Sequence, residues 1–249
     1  MAKKHSTSET GHVKNVANLN VMIDAIELLD RYDPVNPKIT IIDLRKKYTE
    51  CDDLLKLIDQ KETIDDDIIN KRQYAFENIG PYSTRLQNSA AVISEDKKLM
   101  DDISNVIDKI RGEPAIPLTI EDREGQEVEE ARSNSQRSYD NLAAHFNKLV
   151  EYIERIPDYV PNEEDLTLDA AKAYLAELIE HNKRASESHE ELKKARRDRD
   201  HAMYNEDEGL YMRTQTVKLY VKGVYYANSP EFARIRAIKF RNPLKKKKK

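Results

Sequence analysis

Arg72 and Arg199 stand 127 positions apart, each in the apolar frame of a long helical pattern. A guanidinium offers a planar fork of donors that meets a carboxylate or phosphate at two points, so the two make a candidate anion or inter-repeat pairing site. The structural alternative is an ion pair to seam carboxylates such as Glu62 or Asp65 that fixes helix register, and it is the expectation adopted. Glu62, Asp65, Asp66 and Asp67 form the densest carboxylate cluster. Consecutive aspartates on a helix point around its axis rather than toward one ion, so a solvated face is expected there.

His181, His189 and His201 share one helical pattern, but no HExxH occurs and His181 and His189 are two turns apart, too far for one metal. The single cysteine, Cys51, falls between Tyr48 and Leu55 in an apolar seam, which predicts a buried, inert thiol. The chain has no glycine-rich phosphate loop, GxSxG elbow or paired-acid motif. The expectation is therefore no enzyme activity, no cofactor, no metal and no catalytic residue.

Two other features carry chemistry. Lys239, Arg241, Lys245, Lys246, Lys247, Lys248 and Lys249 place seven basic side chains and no acidic one in residues 239–249, leaving about −11 on the rest of a chain whose net charge is −4. Such a tail can hold nucleic-acid phosphates or anionic lipid headgroups by counterion release. An acidic body opposes wide phosphate contact, so that binding is expected to be weak, steeply salt-dependent and lost from a chain ending at Pro243. Thirteen tyrosines against four phenylalanines is the other feature. Tyr220, Tyr225 and Tyr226 form a candidate partner patch, with closure of the helical bundle as the structural alternative.

The elements that must position these residues are helices. Only 6 glycines occur in 249 residues, with 35% charged side chains, a composition of long, partly exposed helices. A helix is predicted over 12–31 from Leu19, Met22, Ile23, Ile26 and Leu29, ended by the prolines of 32–37. The stretch 36–79 carries Ile41, Leu44, Tyr48, Cys51, Leu55 and Ile58 at alternating spacings of three and four, a seam that turns polar beyond Glu62. Gly80-Pro81 is expected to break it, and a third helix is predicted over 82–110.

The pattern then returns. Phe146, Leu149, Val150, Ile153 and Ile156 stand 127 residues after the first stripe, Tyr159 after Tyr32, and Leu166-Thr167-Leu168 after Ile39-Thr40-Ile41. A gapless frame of this length is an internal duplication. The second seam holds Leu168, Ala171, Leu175 and Leu178, then Asn182, His189, Arg196 and Arg199. A helix over 210–226 follows, and Asn228-Ser229-Pro230-Glu231 reads as the cap and first turn of another. The expected fold is all-α, an elongated bundle of two tandem three-helix repeats with long central helices. Repeat one is 12–111, an acidic linker 112–130, repeat two 131–227, and a short helix with the basic tail 228–249.

Ser135-Gln136-x-Ser138-Tyr139-Asp140, Tyr159-Val160-Pro161-Asn162-Glu163, Lys218-x-Tyr220-Val221-Lys222-Gly223 and Ser229-Pro230 resemble an uncharacterised tandem-repeat helical protein family of Bacteroidota over residues 12–242. The resemblance implies a helical fold in a bacterial cytoplasm and carries no catalytic residue across. The chain departs from that family where Tyr226 or Ala227 stands, since glycine is usual at one of them, and a differently built last turn is expected there. No apolar leader precedes residue 19 and no 18-residue apolar run occurs, so a cytoplasmic protein without a transmembrane segment is expected. Its expected role is that of a non-enzymatic scaffold or adaptor binding an unidentified protein or itself, with polyanion binding through the tail as the alternative.

Overall fold

The structure is a computed structural model that describes residues 11–112, 119–121, 127–129 and 137–244. Among them eight α-helices carry the fold: α1 (His12–Glu27), α2 (Ile41–Glu77), α3 (Ile79–Ile93), α4 (Lys97–Arg111), α5 (Tyr139–Glu154), α6 (Leu168–Tyr204), α7 (Leu210–Tyr225) and α8 (Pro230–Ala237). One-turn 3-10 helices, Pro37–Ile39 and Glu164–Leu166, lead into α2 and α6. Each bound of α5, of the second 3-10 turn and of α6 falls 127 residues after the matching bound of α1, the first 3-10 turn and α2.

The chain divides into two compact units, one of Met1–Ile64 with His189–Lys249 and one of Asp65–Ser188. Each boundary lies inside a 37-residue helix, so α2 and α6 serve both units. In the first unit, Leu19, Met22, Ile23 and Ile26 of α1 bury against Leu44 and Cys51 of α2, Met203 of α6, Val217 and Val221 of α7, and Phe232 and Ile235 of α8. In the second, Phe76, Leu86, Ile103 and Ile107 from α2, α3 and α4 bury against Phe146, Leu149 and Ile153 of α5 and Leu175 and Leu178 of α6. The packing division thus differs from ranges 12–111 and 131–227: each core joins the first helices of one sequence half to the last helices of the other.

Within each unit α2 and α6 run antiparallel. In the first, Ile58 packs with Leu192 and Ala195, Lys61 meets Glu191 at 2.7 Å, and Arg196 meets Glu62 at 2.7 Å. In the second, the Tyr174 hydroxyl donates to the Ala75 carbonyl at 2.7 Å. The first seam faces inward as its spacing predicts, with Leu44, Cys51, Ile58, Asp65 and Phe76 buried. The second does not hold its frame. Ala185, Ser188, Leu192 and Ala195 are buried, while His189 and Arg196 are exposed. Two successive spacings of three, from Asn182 to Ala185 to Ser188, put Ser188 and Ala195 on the buried face in place of His189 and Arg196.

Two predicted boundaries move. Gly80-Pro81 does not end a helix but lies in the first turn of α3, where proline's missing N–H costs little; the break is at Asn78. The helix predicted over 82–110 is two helices, because Asp96 caps α4, its carboxylate accepting from the Lys98 and Leu99 amides at 3.0 and 3.2 Å. Within 112–130, strands β1 (Thr119–Glu121) and β2 (Glu127–Glu129) pair antiparallel, with Ile120 opposite Val128. The rest of that segment beyond Gly112 lies outside the described residues. The predicted cap of α8 is present: Ser229 Oγ accepts from the Phe232 amide at 3.1 Å, and Pro230 is the first helical residue.

Tyr226 ends α7 at φ 68°, ψ 159°, a region that essentially only glycine occupies and that costs about 1–3 kcal/mol for other residues. Its side chain is 75% exposed, so packing recovers little of that cost. Tyr226→Gly is expected to raise stability by about 1 kcal/mol, net of the added chain entropy of unfolded glycine. The check is a thermal melt; a lowered midpoint would show that the exposed ring makes stabilising contacts.

Candidate functional site

Each unit has a corner where the chain leaves its first helix and enters a long one. Tyr32 Oη donates to the Ile39 carbonyl at 2.6 Å, and Tyr159 Oη to the Leu166 carbonyl at 3.0 Å. Thr40 Oγ1 donates to the Pro37 carbonyl and accepts from the Asp43 amide; Thr167 repeats this with the Glu164 carbonyl and the Ala170 amide. Arg45 pairs with Glu27 at 2.5 Å and Lys172 with Glu154 at 2.6 Å. Arg213 donates to the Lys38 carbonyl in one corner, and Tyr82 Oη to the Asp165 carbonyl in the other. Burial holds the Tyr32, Tyr82 and Tyr159 phenols above their ordinary pKa, so they remain neutral donors.

Apolar side chains stand out from these fixed corners. In the second unit Val92 is 88% and Val160 79% exposed, beside a groove of about 560 Å³ lined also by Arg85, Ser89, Ile93 and Leu166. Arg85 is held there by Asp165 at 2.5 Å. In the first unit the same two elements, the turn after α1 and the helix after the long one, expose Val35 (99%) and Leu219 (71%).

A larger cleft of about 860 Å³ lies in the second unit. The end of α2 gives it Tyr74, Phe76 and Glu77, the start of α3 Ile79, the end of α4 Ile110 and Arg111, and the start of α5 Tyr139 and Leu142, with Arg137 just before α5. Arg72 stacks its guanidinium over the Tyr139 ring, 4.3 Å from the centroid, and that ring meets Phe76 edge-on at 4.9 Å. Arg111 Nη2 donates to Thr84 Oγ1 at 2.6 Å.

The 127-residue counterparts of Arg72 and Tyr139 are Arg199 and His12, in the first unit. Arg199 forks onto Asp200 at 2.7 and 2.9 Å. Each arginine thus has a partner in its own unit, and the ion pair to Glu62 comes from Arg196 instead. Tyr204 Oη hydrogen-bonds to His12 Nδ1 at 2.9 Å and accepts from Asn15 Nδ2 at 3.1 Å. Asn15 also clamps Arg241, accepting from its amide at 3.1 Å and donating to its carbonyl at 2.7 Å. Spacing could not find this group, which joins His12 and Asn15 to residues 189 or more positions later. One signal existed: a polar residue, Asn15, stands four before Leu19 in the apolar stripe of α1.

Burial, then the charge of Arg199, lowers the His12 pKa against the pull of Asp200; burial, Lys109 and Lys148 lower that of His145. With folded values below 6.5, the unfolded chain protonates first as pH falls. The stability these neutral imidazoles contribute is full above the ordinary histidine value and is lost as pH drops through it toward the folded values. Urea midpoints are expected to hold between pH 7 and 8 and fall below about pH 6.5, and the fall should shrink in His12→Gln/His145→Gln. An unchanged fall in that variant would assign the acid sensitivity to other groups.

The other candidates are placed as follows. Tyr220 meets Tyr32 edge-on at 5.3 Å and its hydroxyl accepts from the Asp33 amide. Tyr225 Oη accepts from the Arg31 amide at 2.7 Å and donates to Asp30 at 2.8 Å. These two close the first unit, and of the three tyrosines Tyr226 alone is exposed. Lys239 is held by its carbonyl to Asn18 at 2.7 Å, and its side chain and that of Arg241 are exposed. Lys245, Lys246, Lys247, Lys248 and Lys249 lie outside the described residues. Cys51 is buried, which pushes its thiol up to about 12. Of the carboxylate cluster, Asp65 is buried, while Asp66 and Asp67 are exposed and Asp67 pairs with Lys71.

Among the described residues no three histidine, cysteine or acidic side chains converge to hold a metal, and no helix is long and apolar enough to cross a membrane. No family model, curated protein or solved structure matches the chain.

Proposed function

We propose that the chain is a tandemly duplicated helical scaffold, without catalysis of its own, that binds another protein at its corners. The observation that carries this reading is the pair Val92 and Val160, almost fully in water beside a groove whose walls are fixed by Tyr159, Tyr82 and the Arg85–Asp165 pair. Apolar side chains held out by a rigid frame give contact area at little entropic cost, which is what a partner surface needs. The polar rim of Asn88, Asn162 and Glu163 fits a segment that offers one apolar anchor between polar neighbours. Recurrence of exposed apolar residues at the corresponding elements of the first unit makes the scaffold bivalent.

The test uses the full chain as bait in host lysate, beside Val92→Lys/Val160→Lys, with circular dichroism showing an unchanged fold. A specific protein retained by the parent and lost by the variant supports the scaffold. Equal recovery by both, or background alone, sinks it. Sedimentation of the two proteins alone separates self-association from a foreign partner.

A further inference from the structure

We propose that the outer face of α1 and the start of α2, in the first unit, is a self-association surface on which a second copy of this chain packs about a two-fold axis. The face is assembled around one ion pair. Arg45 of α2 meets Glu27 of α1 at 2.5 Å, and Asp24, one turn before Glu27, also lies within electrostatic reach of that guanidinium. Val21 and Leu28 stand one turn to either side of Asp24, and Ile42 one turn before Arg45. All three are open to water: Val21 is 52%, Leu28 70% and Ile42 71% exposed. Ile42 also borders a groove of about 440 Å³ with Arg45, Lys46 and Thr49.

The duplication shows that folding does not require apolar residues there. The same construction recurs in the second unit, where Lys172 meets Glu154 at 2.6 Å. The residues 127 positions after Val21, Leu28 and Ile42 are Lys148, Arg155 and Asp169, and all three are exposed. A solvated face of this architecture is thus covered by charge. One exposed apolar side chain is ordinary. Three around a single ion pair, each matched by a charge in the equivalent unit, form a patch that gains by leaving water.

The charges beside the patch identify the occupant. On α1 they are acidic, Asp24 and Glu27; on α2 they are basic, Arg45 and Lys46, and all four are exposed. A two-fold axis between the helices sets α1 of each copy against α2 of the other. Asp24 then meets Lys46 twice, and the apolar side chains face one another. A second copy carries this complement by construction. At 16 residues α1 is about 24 Å long. Two helices of about 10 Å width give about 500 Å² per copy and about 1,000 Å² in total, the low end of specific interfaces. The consequence is a reversible dimer of micromolar affinity. Val35, Leu219 and the groove of the scaffold reading are other residues, so the two readings stand or fall separately.

The test is sedimentation equilibrium of the full chain across the micromolar range, where a monomer–dimer equilibrium is expected. Leu28→Arg/Ile42→Asp gives the first unit the residues that the second already carries, so circular dichroism should be unchanged. That variant is expected to weaken association at least about hundredfold. Asp24→Lys and Lys46→Asp should each weaken it about tenfold, and the double exchange should restore it to within about threefold, because the pairs reform with reversed sign. A monomer at every concentration would overturn the proposal and leave the patch to a foreign protein. A dimer untouched by Leu28→Arg/Ile42→Asp, or a charge exchange without restoration, would overturn it as well.

Discussion

A chain cut between Glu121 and Glu127 is expected to remain one particle under native conditions and to separate into two fragments only in denaturant. The cut leaves α1 to α4 on one fragment and α5 to α8 on the other. Neither fragment contains a complete core. Leu19, Met22, Ile23 and Ile26 on the first fragment are covered by Met203, Leu210, Val217, Val221 and Ile235 on the second. Phe146, Leu149 and Ile153 on the second are covered by Leu86, Ile103 and Ile107 on the first. Each such side chain contributes about 1.5–3 kcal/mol by leaving water. With two cores shared between the fragments, that sum greatly exceeds the about 4–15 kcal/mol lost in association entropy. A protease site inserted in that segment, then size exclusion of the nicked protein with and without urea, makes the measurement. Fragments that elute apart without denaturant would mean that residues 12–111 and 131–227 each fold alone, and the shared cores would be wrong.

The second large effect concerns where a core defect is felt. Leu19→Ala removes a fully buried side chain of α1 and is expected to cost about 3 kcal/mol, since Leu→Ala losses in cores run about 2–5 kcal/mol. Native-state hydrogen exchange should show α7 and α8 losing protection, although both lie some 190 residues or more further along the chain. The α3 and α4 helices, nearer in sequence, should change less. Phe146→Ala should cost about 3–5 kcal/mol and act in the opposite sense, opening α3 and α4 before α7 and α8. Equal loosening of all four helices by either variant would count against two separately packed cores.

Much of the local structure was legible because it rests on neighbours in sequence. The 127-residue interval, the apolar stripes of α1 and α5, the first seam and the Ser229-Pro230 cap depend on helical period and on side chains within a turn of one another. The burial of Cys51 follows likewise from its seam position alone. Where reading failed locally, the cause was small in energy. Asp96 is one capping residue inside an otherwise helical run, and a single good cap is enough to divide it. Proline at Gly80-Pro81 suits the beginning of a helix as well as its end, so the residue pair alone does not decide between them. That Tyr226 takes a glycine conformation needed the backbone angles.

The sequence by itself determined that this is a helical chain with a doubled pattern and two long helices, which the structure bounds at 37 residues each. It also held a clue to their use. Such a helix is about 55 Å long, more than twice the length of α1, so an α1 lying along its start leaves its end for another element. Only the tertiary structure decided which element that is, because the apolar faces of α3 and α7 are alike in residue type and pattern does not name a partner. The same holds for the polar groups. That Arg72 meets Tyr139, Arg196 meets Glu62, and His12, Asn15 and Tyr204 join depends on side chains brought together by packing over 67 to 192 positions. Periodicity reports which face of a helix is buried; it carries no information about what buries it.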